Sequence, residues 1–136
     1  MVSGPVDVVI IGFPGNKFTG KIAPAIKELV ENNTIRILDL LFVTSDDTGT
    51  ISALRVQDLA ADLQPGLVEL DTFMPGALDE HDAQELAEDL PANSSALLVA
   101  FENVWASKFV AAIQEAEAVV IDQIRIPADA VADLLA

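Results

Sequence analysis

Apolar positions along this chain switch between a spacing of two and a spacing of three to four, and the switches mark its elements. Asp7 to Phe13 is a short β-branched run bounded by Pro5 and Pro14, the pattern of a buried strand. Ile22, Ala25, Ile26, Leu29 and Val30 then recur at helical spacing until Asn32 and Asn33 end the pattern. A helix starting at Asn16 would carry Pro24 well inside it, so its start is expected nearer Thr19 or Gly20, or with a kink. A long strand is predicted over Thr34 to Thr44, running into Ser45–Thr50, where Asp46-Asp47-Thr48-Gly49 signals a hairpin and Gly49 can take the positive φ of such turns. A third strand follows, over 50–56. Residues 57–78 are the least periodic, broken by Pro65-Gly66 and Pro75-Gly76, and predict irregular structure. An acidic helix is expected over 77–90, ended by Pro91, and then a strand over 95–101. Asn103 is placed to cap a helix carrying Trp105, Phe109, Ala112, Ile113 and Ala116 on one face. A last strand over 118–127 and a short helix over 128–136 complete the prediction.

Part of this order occurs twice. Asn16–Glu28 aligns without a gap on Asn103–Glu115, with Asn16/Asn103, Lys21/Lys108, Ala25/Ala112, Ile26/Ile113 and Glu28/Glu115 identical and Phe18 facing Trp105. After a four-residue shift, 36–43 meets 119–126, and Asp39 falls on Asp122. The reading is a duplicated β-α-β unit, about 7–43 and 95–126, joined by a connecting segment, 44–94. Together these predict a single α+β domain over 1–136, ferredoxin-like, with helices on one face of a mainly antiparallel sheet.

The predicted second strand then poses a question. Ile37, Asp39, Leu41 and Val43 point one way, and Arg36, Leu38, Leu40 and Phe42 the other, so both faces are largely apolar. Helices on one face leave the other to a partner sheet, and the expected partner is another copy of the chain, as a homodimer or larger homo-oligomer.

Composition narrows the remaining classes. With 22 acidic and 7 basic residues the net charge is −15, which repels nucleic-acid phosphates and anionic lipid surfaces, so neither is expected as a partner. The chain is nevertheless 51% hydrophobic, which assigns the acidity to the surface of a folded protein and not to disorder. It has no cysteine and one histidine, which leaves no thiol nucleophile and no ordinary zinc set, so neither metal nor cofactor is expected. The apolar stretch Val8–Ile11 is too short for a signal sequence or a membrane span, and a cytoplasmic location is expected.

Three patterns suggest chemistry. Gly15 to Lys21 fits G-x-x-x-x-G-K, with Gly15, Gly20 and Lys21 in the places of a phosphate loop, but Ile22 stands where a magnesium-holding hydroxyl is needed. Its twin in the second repeat has Ser107 in place of Gly20, so nucleotide binding is the weakest reading. Asp39 and Asp122, with Arg36 and Arg125 near them in sequence, pass the same comparison: two symmetry-related carboxylates can share acid–base work or hold a ligand. The plainer role for them is ion pairing within the sheet. Asp46 and Asp47 could hold calcium weakly, but turn aspartates ordinarily cap their own backbone. His81, among Asp79, Glu80 and Asp82, reads as a solvent-facing helix residue.

At Ile35–Gly49 (IRILDLLFVTSDDTG) and Leu90–Glu102 (LPANSSALLVAFE) the chain resembles an uncharacterised bacterial family, mainly actinobacterial, described as predicted membrane or stress-associated proteins. Its membrane-associated members carry a Gly-rich apolar hairpin between those motifs, where this chain has Gln57–Leu78. The resemblance brings no catalytic residues. Since the chain carries no complete catalytic set, the expected function is a non-catalytic, self-associating cytoplasmic module, with the stress-related role the resemblance implies. The alternative is a small-molecule binder or enzyme with a pocket beside 57–78, using Asp39 and Asp122.

Overall fold

The computed structural model describes residues 4–13, 21–58 and 70–130. Strands β1 (Val6–Phe13), β2 (Arg36–Ser45), β3 (Ile51–Leu54) and β4 (Ser94–Glu102) form one antiparallel sheet in the order β1-β4-β2-β3. The helices are α1 (Ile22–Glu31), α2 (Glu80–Leu86) and α3 (Ser107–Glu115), the last preceded by a single 3-10 turn, Val104–Ala106. The fold is α+β. β4, the last strand, lies between the first two and bonds to both, with Asp7 opposite Phe101 on one side and Leu41 opposite Leu98 on the other.

Sequence explains where these elements begin and end. α1 starts at Ile22, which puts Pro24 in the first turn, where a missing N–H costs no intrahelical bond. It ends at Asn33, at φ +56°, with Thr34 N–H donating to the Leu29 carbonyl at 2.9 Å. α3 ends in the same way: Glu117 takes φ +57°, and Ala118 N–H reaches back to the Ile113 carbonyl at 3.0 Å. The hairpin forms as predicted, with Gly49 at φ +83°.

Two expectations are corrected here. The helices do not share one face. Ile26 of α1 packs with Ile37, Leu40, Phe42, Leu97 and Val99, while Ala83 of α2 packs with Leu38, Leu41, Val43, Ala96 and Leu98. Successive residues of β4 fall in opposite clusters, so α1 and α2 cover opposite faces of the sheet. The second apolar face of β2 is thus buried within the chain. Its side-chain alternation also differs from simple parity, because Leu38 is an extra residue: the register passes from Ile37↔Phe101 to Asp39↔Ala100. That bulge places Ile37 on the same face as Leu40 and Phe42.

The second correction concerns the last strand. Residues 118–127 are exposed throughout and make no ladder with the sheet among the described residues. The two aligned segments therefore share a helix and its C-terminal turn, and beyond that they differ. After α1 the chain enters the middle of the sheet as β2; after α3 it continues, among the described residues, as an arm outside the sheet.

Candidate functional site

Two buried carboxylates hold the sheet to its surroundings. Asp39, fully buried on β2, accepts from the backbone N–H groups of Leu40 (2.9 Å), Gly76 (3.1 Å) and Leu78 (2.8 Å). Both terminal nitrogens of Arg55 also bond to it, Nη1 at 3.2 Å and Nη2 in closer contact. Gly76 can present its N–H here because it sits at φ +91°. Just beside it, Phe73 and Met74 donate to the carbonyls of Ile37 and Leu38 at the bulge, at 2.9 and 2.8 Å. Asp39 thus anchors 70–78 along the stretch of β2 that β3 is too short to cover.

Glu102 does the equivalent work at the end of β4. Buried to 1% exposure, it accepts from Arg36 Nε (3.0 Å) and Nη2 (2.6 Å) and from Gly4 N–H (2.7 Å). The Arg36 guanidinium also lies 3.9 Å from the centre of the Phe73 ring, a cation–π contact.

The predicted quartet is not brought together. Asp39 pairs with Arg55, Arg36 with Glu102, and Arg125 with Asp7 at 2.8 Å. Asp122 lies on the exposed arm, where its carboxylate accepts from Gln123 N–H at 2.7 Å. A cavity of about 230 Å³ does open between the sheet and the irregular segment, lined by Leu40, Arg55, Val56, Leu70, Thr72 and Gly76. Asp39 is not in its wall. Gly15 and Gly20 lie outside the described residues, and Lys21 is the residue preceding α1.

Asp46 spends its carboxylate on its own turn, taking the Thr48 hydroxyl (2.7 Å) and the N–H groups of Thr48 and Thr50 (2.9 Å each). Those bonds, the Thr48 hydroxyl first, hold its pKa below the ordinary 3.8. His81 pairs with Glu85 at 3.2 Å on the exposed side of α2. Among the described residues no three metal-ligating side chains cluster, and no helix is long and apolar enough to cross a membrane.

The structure also exposes large apolar side chains. Val6, Val8 and Ile10, on the α2 side of β1, are 44–47% exposed, because α2 packs over the β2–β3 end of the sheet. Trp105 and Phe109 are 67% and 68% exposed, and Val119, Val120, Ile121 and Ile124 of the arm stand more than half open. These groups adjoin one another. A groove of about 560 Å³ runs between Pro5 and Asp7, the Trp105–Phe109–Ile113 face and Ala118–Gln123, and a smaller one joins Val6 to Ile124. Asn103 sits at the junction. Its amide nitrogen donates to the Pro5 carbonyl (3.0 Å) and to Asp7 (2.8 Å), and its oxygen accepts from Trp105 Nε1 (3.2 Å). Its side chain is committed to β1 and to Trp105, and makes no helix-capping bond.

A family model covers residues 2–136. The chain belongs to the DUF6325 family, a family of unknown function. No curated protein and no solved structure matches it. DUF6325 membership therefore assigns no chemistry to the two anchored carboxylates or to the exposed apolar end, and their roles rest on the geometry of this chain.

Sequence reasoning missed Arg55, Glu102 and Gly76. The signal for Arg55 was its place at the end of a short edge strand, beside a β2 carboxylate that had to be neutralised if buried. Glu102 offered less, since a charged residue closing an apolar run ordinarily faces water.

Proposed function

We propose that this protein is a non-catalytic, self-associating module that docks through the end of the molecule formed by β1, Trp105, Phe109 and the 118–127 arm. The observation that carries the reading is the concentration there of large exposed apolar side chains, contiguous across two grooves. The two apolar faces of β2, which suggested a partner at first, no longer support it, because α1 and α2 cover them. The non-catalytic part is supported by the engagement of Asp39 and Glu102, each of which accepts a full set of internal hydrogen bonds. The ferredoxin-like duplication belongs to this reading as the origin of an arm with strand character. Native mass spectrometry or light scattering of the full chain should give a dimer or larger species at micromolar concentration, and a stable monomer there would defeat the proposal.

A small-molecule site has one observation in its favour, the 230 Å³ cavity beside Arg55, whose side chain is one-third exposed. A small anion bound there should shift resonances of Thr72 and Gly76 and leave those of Trp105 unmoved.

A further inference from the structure

We infer that residues 119–126 of one copy add as a strand to the free edge of β1 in a second copy, and that the exchange is reciprocal. The inference rests on the self-association proposed above and names the segment and the edge that carry it.

Among the described residues each chain holds a sheet edge and a strand-like arm that do not pair with each other. Among the described residues β1 is bonded on one side, to β4, and its other side is the edge of the sheet. An edge strand presents a row of free N–H and C=O groups, ready to accept another strand. The arm Val119-Val120-Ile121-Asp122-Gln123-Ile124-Arg125-Ile126 is β-branched and apolar enough to be a strand, and it leaves α3 through the same left-handed turn by which the chain leaves α1 to become β2. Its counterpart in the first repeat, β2, is one of the two inner strands of the sheet. Among the described residues the arm is a strand sequence with no strand beside it.

Charge fixes the register. Arg125 already finds Asp7 of its own chain, at 2.8 Å. If the same pair stands directly opposed in an antiparallel ladder, Ile126 faces Val6, Ile124 faces Val8, Ile121 faces Ile11 and Val119 faces Phe13. These are the aliphatic and aromatic cross-strand pairs that stabilise sheets. The ladder would cover Val6 and Val8 from the side and supply bonds to the open edge.

Within one chain this register cannot close as the molecule stands. It requires Val119 at the Phe13 end of β1, about 20 Å from Asp7 at the rise of a strand. Ala118 to Asp122 instead line the same groove as Pro5 and Asp7, at the opposite end of β1, and only Ala116 and Glu117 separate Ala118 from α3. The arm of a second copy carries no such tether. A two-fold exchange then satisfies both edges at once and closes without leaving a strand free to grow a fibre.

The chain has no cysteine, so introduced thiols report unambiguously. Val8→Cys and Ile124→Cys chains, made separately and mixed after unlabelled exchange under mild oxidation, should yield the mixed disulfide between unlike chains. Val120→Pro with Ile124→Pro, at exposed positions where the monomer fold is not at stake, removes two backbone donors and should weaken dimerisation at least tenfold while circular dichroism and melting of the monomer stay unchanged. A dimer that persists in the proline variant and cross-links Val8 to Val8 would overturn the exchange and leave self-association standing. A chain that stays monomeric, with a Val8→Cys/Ile124→Cys double variant closing its disulfide internally, would overturn both.

Discussion

Asp39 shows how little a residue's type says about its work until its neighbours are known. A strand-centre aspartate invites a catalytic reading, yet here five donors converge on it and no solvent reaches it. Removing one partner of such a pair leaves a buried charge uncompensated. Arg55→Met is therefore expected to destabilise the fold by about 3 kcal/mol, the lower end of the range for breaking buried pairs because Arg55 is partly exposed. Urea unfolding read at the Trp105 fluorescence checks it. Gly76→Ala should cost roughly 1–2 kcal/mol by the same measurement, since a side chain at φ +91° is strained and the N–H aimed at Asp39 would shift. Of this cluster only Asp39 was legible in the sequence. Arg55 lies 16 residues away across a hairpin, and the Gly76 and Leu78 donors come from a segment with no periodicity to place it.

At the scale of elements, local signals were legible and pairings were not. The β1 run, the Gly49 hairpin, the α1 stripe and the β4 run all stand within a few residues of where their patterns put them. The helix over 77–90 is shorter than its pattern, confined to Glu80–Leu86, with Leu78, Ala83 and Ala87 buried against the sheet and Leu90 packed beside them from outside the helix. The predicted strand over 118–127 failed for a different reason: strand character is a property of residues, but a strand exists only where an edge receives it. α2 also carries a testable pH dependence. Asp79 caps it, accepting from Asp82 N–H while the Asp82 carboxylate accepts from Asp79 N–H, each at 3.0 Å. The bond from Asp82 N–H, first among the causes, holds the Asp79 pKa below 3.8. Because the folded value is the lower one, the stabilisation is fully present above the unfolded value and is lost as the pH falls through the folded value. Asp79→Asn should accordingly narrow its difference from the unsubstituted chain as melting is followed downward from pH 5, and a constant difference would contradict the assignment.

For the whole molecule, charge and greasiness pull in opposite directions. A net charge of −15 makes two copies repel, while in the proposed self-association the exposed apolar β1–Trp105–arm end would draw them together. Association should therefore tighten with salt. Raising NaCl from about 0.01 M to about 0.1 M shortens the screening length from about 30 Å to about 10 Å, and sedimentation velocity should show the dimer fraction rising. A fall would mean that the Asp7–Arg125 type of contact, and not apolar burial, dominates the interface.

The strand order has a consequence in time. β1 and β2 emerge from the ribosome early, but the strand that joins them, β4, begins only at Ser94. Until it arrives, among the described strands β2 has β3 alone to pair with and β1 has none. Synthesis at about 5–20 residues per second leaves the chain for several seconds with two apolar strands waiting. Nascent chains stalled before Ser94 should hold at most the β2–β3 hairpin and resist neither protease nor mechanical pull, whereas chains extended past Glu102 should acquire both together.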